Sequence, residues 1–197
     1  MTARGRGRPP AGGNTVLPER ILSEALNILT ADGLEGLSMR ALATRVGINP
    51  MTIYHHFEDR DGLIKSLAEW VYADVTAPET GEAEARLRGL LTAYYAKVVL
   101  YPALTLAIFA RPAIFPDHAR RITRELTSLM GECGHSPQRA LRWTHILVDY
   151  THGAALAVAT RDGRAGRAPE DAMLDDYASG LDELLAAFRR SPDHPGA

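Results

Sequence analysis

Residues 38 to 57, SMRALATRVGINPMTIYHHF, confine this chain to two short helices with a sharp turn between them. Ser38 is a good N-cap, and Met39, Leu42, Ala43 and Val46 fall at i, i+3, i+4 and i+7, which sets one apolar stripe against a core. Gly47 ends that helix, because glycine enters the left-handed region without a Cβ penalty. A second start comes at once, with Asn49 as cap and Pro50 at the first helical position, where a missing N–H does no harm. On the second helix Ile53 and Phe57 share the inner face. Pro50, Met51, Thr52, Tyr54, His55 and His56 are left for the outer face or its ends.

This spacing is the pattern of a helix-turn-helix, and an outer face with aromatic and hydrogen-bonding tips but no acid suits a DNA groove. The formal net charge of −2 runs against that only as a sum. Residues 1 to 56 hold six arginines and four acids, and all four acids (Glu19, Glu24, Asp32 and Glu35) precede the motif. Basic character therefore sits where DNA would be met.

Upstream, residues 1–14 (MTARGRGRPPAGGN) are rich in Gly, Pro and Arg and read as a flexible basic arm. Arg6-Gly7-Arg8-Pro9 matches the core of an AT-hook, which lays arginines in a narrow A·T minor groove. The same residues also suit an untargeted arm that adds only phosphate attraction. A first helix is expected from about Thr15 or Pro18 to Asp32, stopped by Gly33, with Ile21, Leu22, Ala25, Leu26 and Leu29 on one stripe. With the motif this makes a three-helix unit over 15–60, small enough that it should lean on the helices C-terminal to it.

Residues 61–190 read as further helices: one capped near Asp59, then about Glu82 to Leu100, a short apolar ALTLAIFAR helix, another ending near Cys133, Pro137 to about Arg161, and a last one opened by Pro169. Residues 191–197 are a frayed tail. No sustained period-2 alternation competes, so the expected fold is all-α. Cys133 is the only cysteine, which excludes an intramolecular disulfide, and no apolar run or leader suggests membrane or export. The expected location is cytoplasmic.

These residues resemble the tetracycline-repressor (TetR/AcrR) family of bacterial transcription regulators. The resemblance covers roughly residues 17 to 67: a helix ending in Gly, LSMRALATRVG, then TIYHHF, then DRDGLI. A looser likeness to the tetracycline-repressor-type ligand domain extends from about Pro102 to Ala157. It implies a homodimer whose two heads read a palindromic operator, and a small molecule in the C-terminal domain that releases it. By position, Ser38, Met39 and Arg40 would open the second helix at the DNA, with Arg40 reaching a base edge or phosphate. Pro50, Met51, Thr52 and His55 would lie along the groove, while Tyr54, His56 and Arg60 would hold phosphates. Met39 and Met51 depart from the family's small residues, which bears on base preference.

For an effector cavity the candidates are Trp70, Tyr94, Tyr95, Leu104, Ile108, Phe109, Phe115, Trp143, His145, Ile146 and Asp149. Stripes at helical spacing line pockets and pack cores alike, and spacing does not separate the two. For a four-helix dimer interface the candidates are Tyr150, Gly153, Ala154 and Ala157, with Tyr177, Leu181, Leu184, Leu185 and Phe188. His145, Asp149 and His152 share one helical face and are metal-ligand types, but no zinc-enzyme signature accompanies them, so no cofactor is expected. An enzyme is not expected either, since G-x-S-x-G and Gly-rich phosphate loops are missing from the sequence. The readings left beside a ligand-released repressor are an effector-independent DNA-binding activator or nucleoid protein, and an all-α enzyme or carrier that retains the head.

Overall fold

The structure is a computed structural model that describes residues 18–161 and 166–190. The arm with Arg6 and Arg8, and the C-terminal tail, lie outside the described residues. Among those described there are nine α-helices, one 3-10 turn and no strand. In order they are α1 (Pro18–Gly36), α2 (Met39–Val46), α3 (Pro50–Phe57), α4 (Arg60–Tyr72), α5 (Ala83–Leu100), α6 (Pro102–Phe109), α7 (Asp117–Glu132), α8 (Pro137–Ala159) and α9 (Asp171–Arg190). The 3-10 turn, Pro112–Ile114, lies between α6 and α7.

The local signals act as the sequence dictates. The Ser38 side chain accepts from the Ala41 N–H at 3.1 Å and Asn49 Oδ1 accepts from Met51 N–H at 2.9 Å, so each helix of the motif has one orphan donor satisfied. Gly47 sits at φ 78°, ψ 36°, in the left-handed region, and its N–H reaches the Ala43 carbonyl. Asp59 caps α4 through Gly62 N–H at 2.8 Å. One end differs from expectation: Gly33, at φ 66°, breaks α1 without ending it, and a further helical turn runs to Gly36.

Helices α1 to α3 form the head, and α5, α7 and α8 form the centre of the body, with α9 packed on α8 and α5. Helix α4 belongs to both, touching α1 and α3 on one side and α6 and α7 on the other, while α6 also crosses α1. The buried apolar residues accordingly form one continuous cluster that runs from Ile21 in the head to Phe188 in the body. A three-helix head has too little interior to stand alone, and the shared α4 and α6 contacts supply the rest.

Four dimer-interface candidates are corrected here. Tyr177, Leu181, Leu185 and Phe188 are each at most 2% exposed within a single chain, because α9 turns that face onto its own α5 and α8. Tyr177 stacks on Tyr95 with ring centroids 4.0 Å apart, and its hydroxyl meets Thr151 Oγ1 at 2.8 Å. Such residues hold the protomer together and have no free surface to offer a second copy. Of the other candidates, Gly153 and Ala157 are exposed, and Tyr150, Ala154 and Leu184 are half-buried.

Candidate nucleic-acid interface and ligand cavity

The outer face of the helix pair is built by the inner one. Leu42 and Ile53 are fully buried, with Met39, Val46 and Phe57 nearly so, and this fixes which side chains of α2 and α3 face outward. Those are Arg40, Thr44, Pro50, Met51, Tyr54, His55 and His56, with Thr52 half-buried at the edge. Met51 is 69% exposed, a large apolar side chain with nothing of its own chain to cover it. No acid lies between Leu37 and Phe57, so the face carries hydrogen-bonding groups and arginine without a competing carboxylate.

Two expected DNA contacts turn out to be structural. Met39 is 5% exposed, part of the head core, because it leads the apolar stripe of α2. Arg60 is folded inward, its Nη2 donating to the Leu34 carbonyl, where it satisfies the last turn of α1. Its guanidinium therefore braces α1 against α4 and is not held toward a phosphate. Ser38 is exposed but engaged as a cap. Arg45 on α2 is also taken, paired with Glu24 at 3.4 Å. Sequence reasoning passed over Thr44, which stands one turn beyond Arg40 on the outer face and bonds back to its carbonyl at 3.0 Å. Its i+4 spacing from Arg40 was the available signal.

The turn into α4 is tight. Glu58 has φ 62°, ψ −63°, and Asp59 N–H reaches the Phe57 carbonyl at 2.6 Å, which together make a strained γ-turn. A Cβ on Gly62 would lie 2.1 Å from that same carbonyl oxygen, so only glycine fits. Backbone contact thus ties the end of α3 to the start of α4.

In the body a cavity of about 840 Å³ opens between α4, α5, α6, α7 and α8, within the size range of small-molecule sites. Of the residues expected at a ligand site, Tyr94, Ile108, Phe109, Phe115, His145 and Asp149 line it. The others lie elsewhere. Leu104 and Tyr95 are sealed in the core, Trp143 packs edge-on against Phe188, and Trp70 and Ile146 face outward, 41% and 39% exposed. Tyr72, Thr105, Ala119, Arg120, Ile122, Thr123, Arg124, Val148 and His152 complete the lining. Most of these come from α7 and from the far end of α4, whose approach is a tertiary matter that periodicity does not report.

Polar atoms deep in the cavity are paired. Tyr72 and Thr105 hydroxyls lie 3.1 Å apart, and Tyr94 Oη is 2.6 Å from His152 Nε2. Burial pushes the Tyr72 phenol up to about 12 and the Tyr94 phenol well above its ordinary value. Burial also holds His152 below its ordinary 6.5, outweighing the opposing pull of Asp149. His145, Asp149 and His152 share the cavity, yet among the described residues no group of three such side chains is placed to hold a metal ion.

The cavity wall is fastened to α4 by polar ties. Arg111 Nε donates to Asp61 Oδ1 at 2.8 Å, and Lys65 pairs with Asp117 at 3.3 Å. Glu69 accepts from the backbone N–H groups of Asp117 and His118, capping α7 where Pro116 has no side-chain acceptor of its own. Arg121 donates to the Tyr72 and Val75 carbonyls at 3.1 and 2.9 Å. The segment that carries Phe115 and Arg120 into the cavity is therefore held on the helix that enters the head.

Residues 21–67 match the model of bacterial regulatory proteins of the tetR family. Over these residues the chain is similar to that family. Among curated tetR-family relatives, the class A tetracycline repressor from transposon 1721 of Escherichia coli is 35% identical over 57 residues, covering 29% of this chain and 26% of the repressor. The transcriptional repressor DrrR1 of Streptomyces coeruleorubidus is 28% identical over 126 residues, 61% of this chain and 47% of its own. The chain thus spans about a quarter of the tetracycline repressor it matches and about half of DrrR1. Likeness of fold reaches further. BioQ on its double-stranded DNA operator superposes with a TM-score of 0.69 at 17% identity, covering 89% of this chain and 99% of BioQ. ActR of Streptomyces coelicolor in complex with (S)-DNPA gives 0.67 at 20% identity, covering 88% and 97%. No single helix among the described residues is long and apolar enough to cross a membrane.

Proposed function

We propose that this chain is a tetR-family, cytoplasmic transcriptional repressor that binds a palindromic operator as a homodimer and is released by a small molecule in the body cavity. The observation that carries the reading is the acid-free outer face of α2 and α3, held rigidly by the buried Leu42 and Ile53 behind it. Arg40, Thr44, Pro50, Met51, Thr52, Tyr54 and His55 would meet the major groove, and His56 the phosphates beside it. BioQ, of the same fold, is held on an operator, and DrrR1 is a repressor by name, which supports the same reading.

The dimer surface is proposed on the part of α8 and α9 that the protomer leaves open: Ile146, Gly153, Ala154 and Ala157 with Leu184. Release results if a molecule filling the cavity displaces the Phe115–Arg120 wall. The ties from Asp61, Lys65, Glu69 and Tyr72 would pass that displacement to α4, and the backbone contact at Gly62 would pass it to α3. The arm bearing Arg6 and Arg8 would extend the footprint into a flanking minor groove.

Selection of bound duplexes from a random pool supplies the operator. Arg40→Ala is then expected to weaken operator binding by about 1 to 3 kcal/mol, with relaxed preference at one base position. An unchanged affinity and footprint would remove Arg40 from the interface. Failure to select any duplex would overturn the reading as a whole.

A further inference from the structure

The cavity has two chemically different layers, and together they define what it can hold. At depth, Tyr72, Tyr94, Ile108 and Ile122 are at most 8% exposed. The polar atoms there are already joined in the Tyr72–Thr105 and Tyr94–His152 pairs, both neutral. A charged group pushed to that depth would meet no counter-charge and would lose its hydration. An aromatic body loses nothing there and gains ring contacts.

The rim is different. Phe109 and Phe115 are 49% and 40% exposed, offering ring surface to whatever enters. Arg120 and Arg124 stand one helical turn apart on α7 and line the cavity together with His145 and Asp149 of α8, all four outside its buried depth. Arg120 is engaged, paired with Asp117 at 2.7 Å and lying over the Phe115 ring. Arg124 makes one hydrogen bond, from Nε to the Arg120 carbonyl at 3.4 Å, and among the described residues no carboxylate comes within ion-pair distance of it. Its two terminal nitrogens, at the edge of an apolar cavity, are a ready fork for an oxyanion.

We propose that the cavity takes an aromatic organic anion, with its rings among Phe109, Phe115, Tyr94 and Ile108 and its acidic group at the rim on Arg124. The assignment rests on the ligand-released reading above for its biological meaning, but not for its test. Asp149, on the α8 wall, repels such a ligand and so favours the α7 side.

Two fluorescent probes that share one ring system decide it: 8-anilinonaphthalene-1-sulfonate, which carries an anion, and N-phenyl-1-naphthylamine, which does not. Titrated into the full chain without DNA, the sulfonate is expected to bind one site per chain at least as tightly as the more apolar amine. Arg124→Gln should weaken the sulfonate about tenfold and leave the amine within about twofold, Arg124→Lys should restore part of the loss, and Asp149→Asn should tighten the sulfonate. Ile108→Trp, or Thr123→Trp if circular dichroism shows the first to be unfolded, should abolish both by filling the cavity. Tighter binding of the amine, a sulfonate affinity indifferent to Arg124→Gln, or sulfonate binding that survives cavity filling would each overturn the assignment. Operator binding is measured separately. Probe binding as described in a chain that selects no duplex leaves the cavity assignment standing and sinks the regulator reading, and the converse result sinks only the assignment.

Discussion

The turn between α3 and α4 has no room for a methyl group, while in the body the walls of α4 to α8 stand around an open space of about 840 Å³. The head and the body of this molecule are thus held by opposite means. Head geometry is set by backbone contacts, caps and a filled core, which leave the reading face one position. The body keeps a volume unfilled and holds its wall by side-chain ties that can be broken and remade. A cavity costs stability, and a fold that retains one beside a tightly packed head concentrates its compliance there. Helix α4 is the piece common to both regimes, tight at Gly62 and tied by side chains from Asp61 to Tyr72.

The most severe test adds side-chain bulk to each region. Gly62→Ala drives a Cβ into the Phe57 carbonyl oxygen and is expected to cost about 2 to 4 kcal/mol, read from the urea midpoint. Ala119→Met, on the cavity lining, should move the same midpoint by less than about 1 kcal/mol, because the added atoms enter empty space. Equal losses in the two variants would break the contrast.

The contrast also explains what could be read from residues alone. Ser38, Gly47, Asn49, Pro50 and Asp59 act through their immediate neighbours, so the helix pair and the start of α4 were legible from spacing. Arg60 and Met39 were misjudged because family position placed them at DNA, whereas the Leu34 carbonyl and the head core claim them in three dimensions. In the body the helices were legible and the site was not. Arg124 and Thr123 line the cavity only because α7 packs against both α5 and α8, and Tyr177 is sealed only because α9 folds back onto the same pair. An apolar stripe says that a face is covered, and does not say by what.

Within the body the deep polar pairs should matter more than the rim. Tyr72→Phe leaves Thr105 Oγ1 without its buried partner and is expected to cost about 1 to 2 kcal/mol, again by urea midpoint. A neutral result would show that the space admits water there and would soften the distinction between its two layers. Asp61→Asn weakens the tie to Arg111 at a half-exposed site, so its effect on stability should stay below about 1 kcal/mol. Its effect on coupling should be the larger one. The operator affinity measured with and without a cavity-bound probe should converge in this variant while the probe still binds, and unchanged coupling would take Asp61 out of the connection between the regions.

The smallest effect is a matter of pH, and it belongs to the body, where the half-buried His152 lines the cavity. Burial, offset in part by Asp149, holds His152 below its ordinary 6.5, so the folded chain resists a proton that the unfolded chain accepts. The unfolded state therefore binds more protons as pH falls below 6.5, and stability declines until the folded value is passed. The contribution is fully present above 6.5 and cannot exceed about 1.4 kcal/mol per pH unit. His152→Gln keeps an acceptor for the Tyr94 hydroxyl and removes the titration, so its urea midpoint should fall less between pH 7 and pH 5 than that of the parent chain. Parallel declines would mean that the acid sensitivity does not arise at His152, and that the cavity is wet enough to charge it without cost.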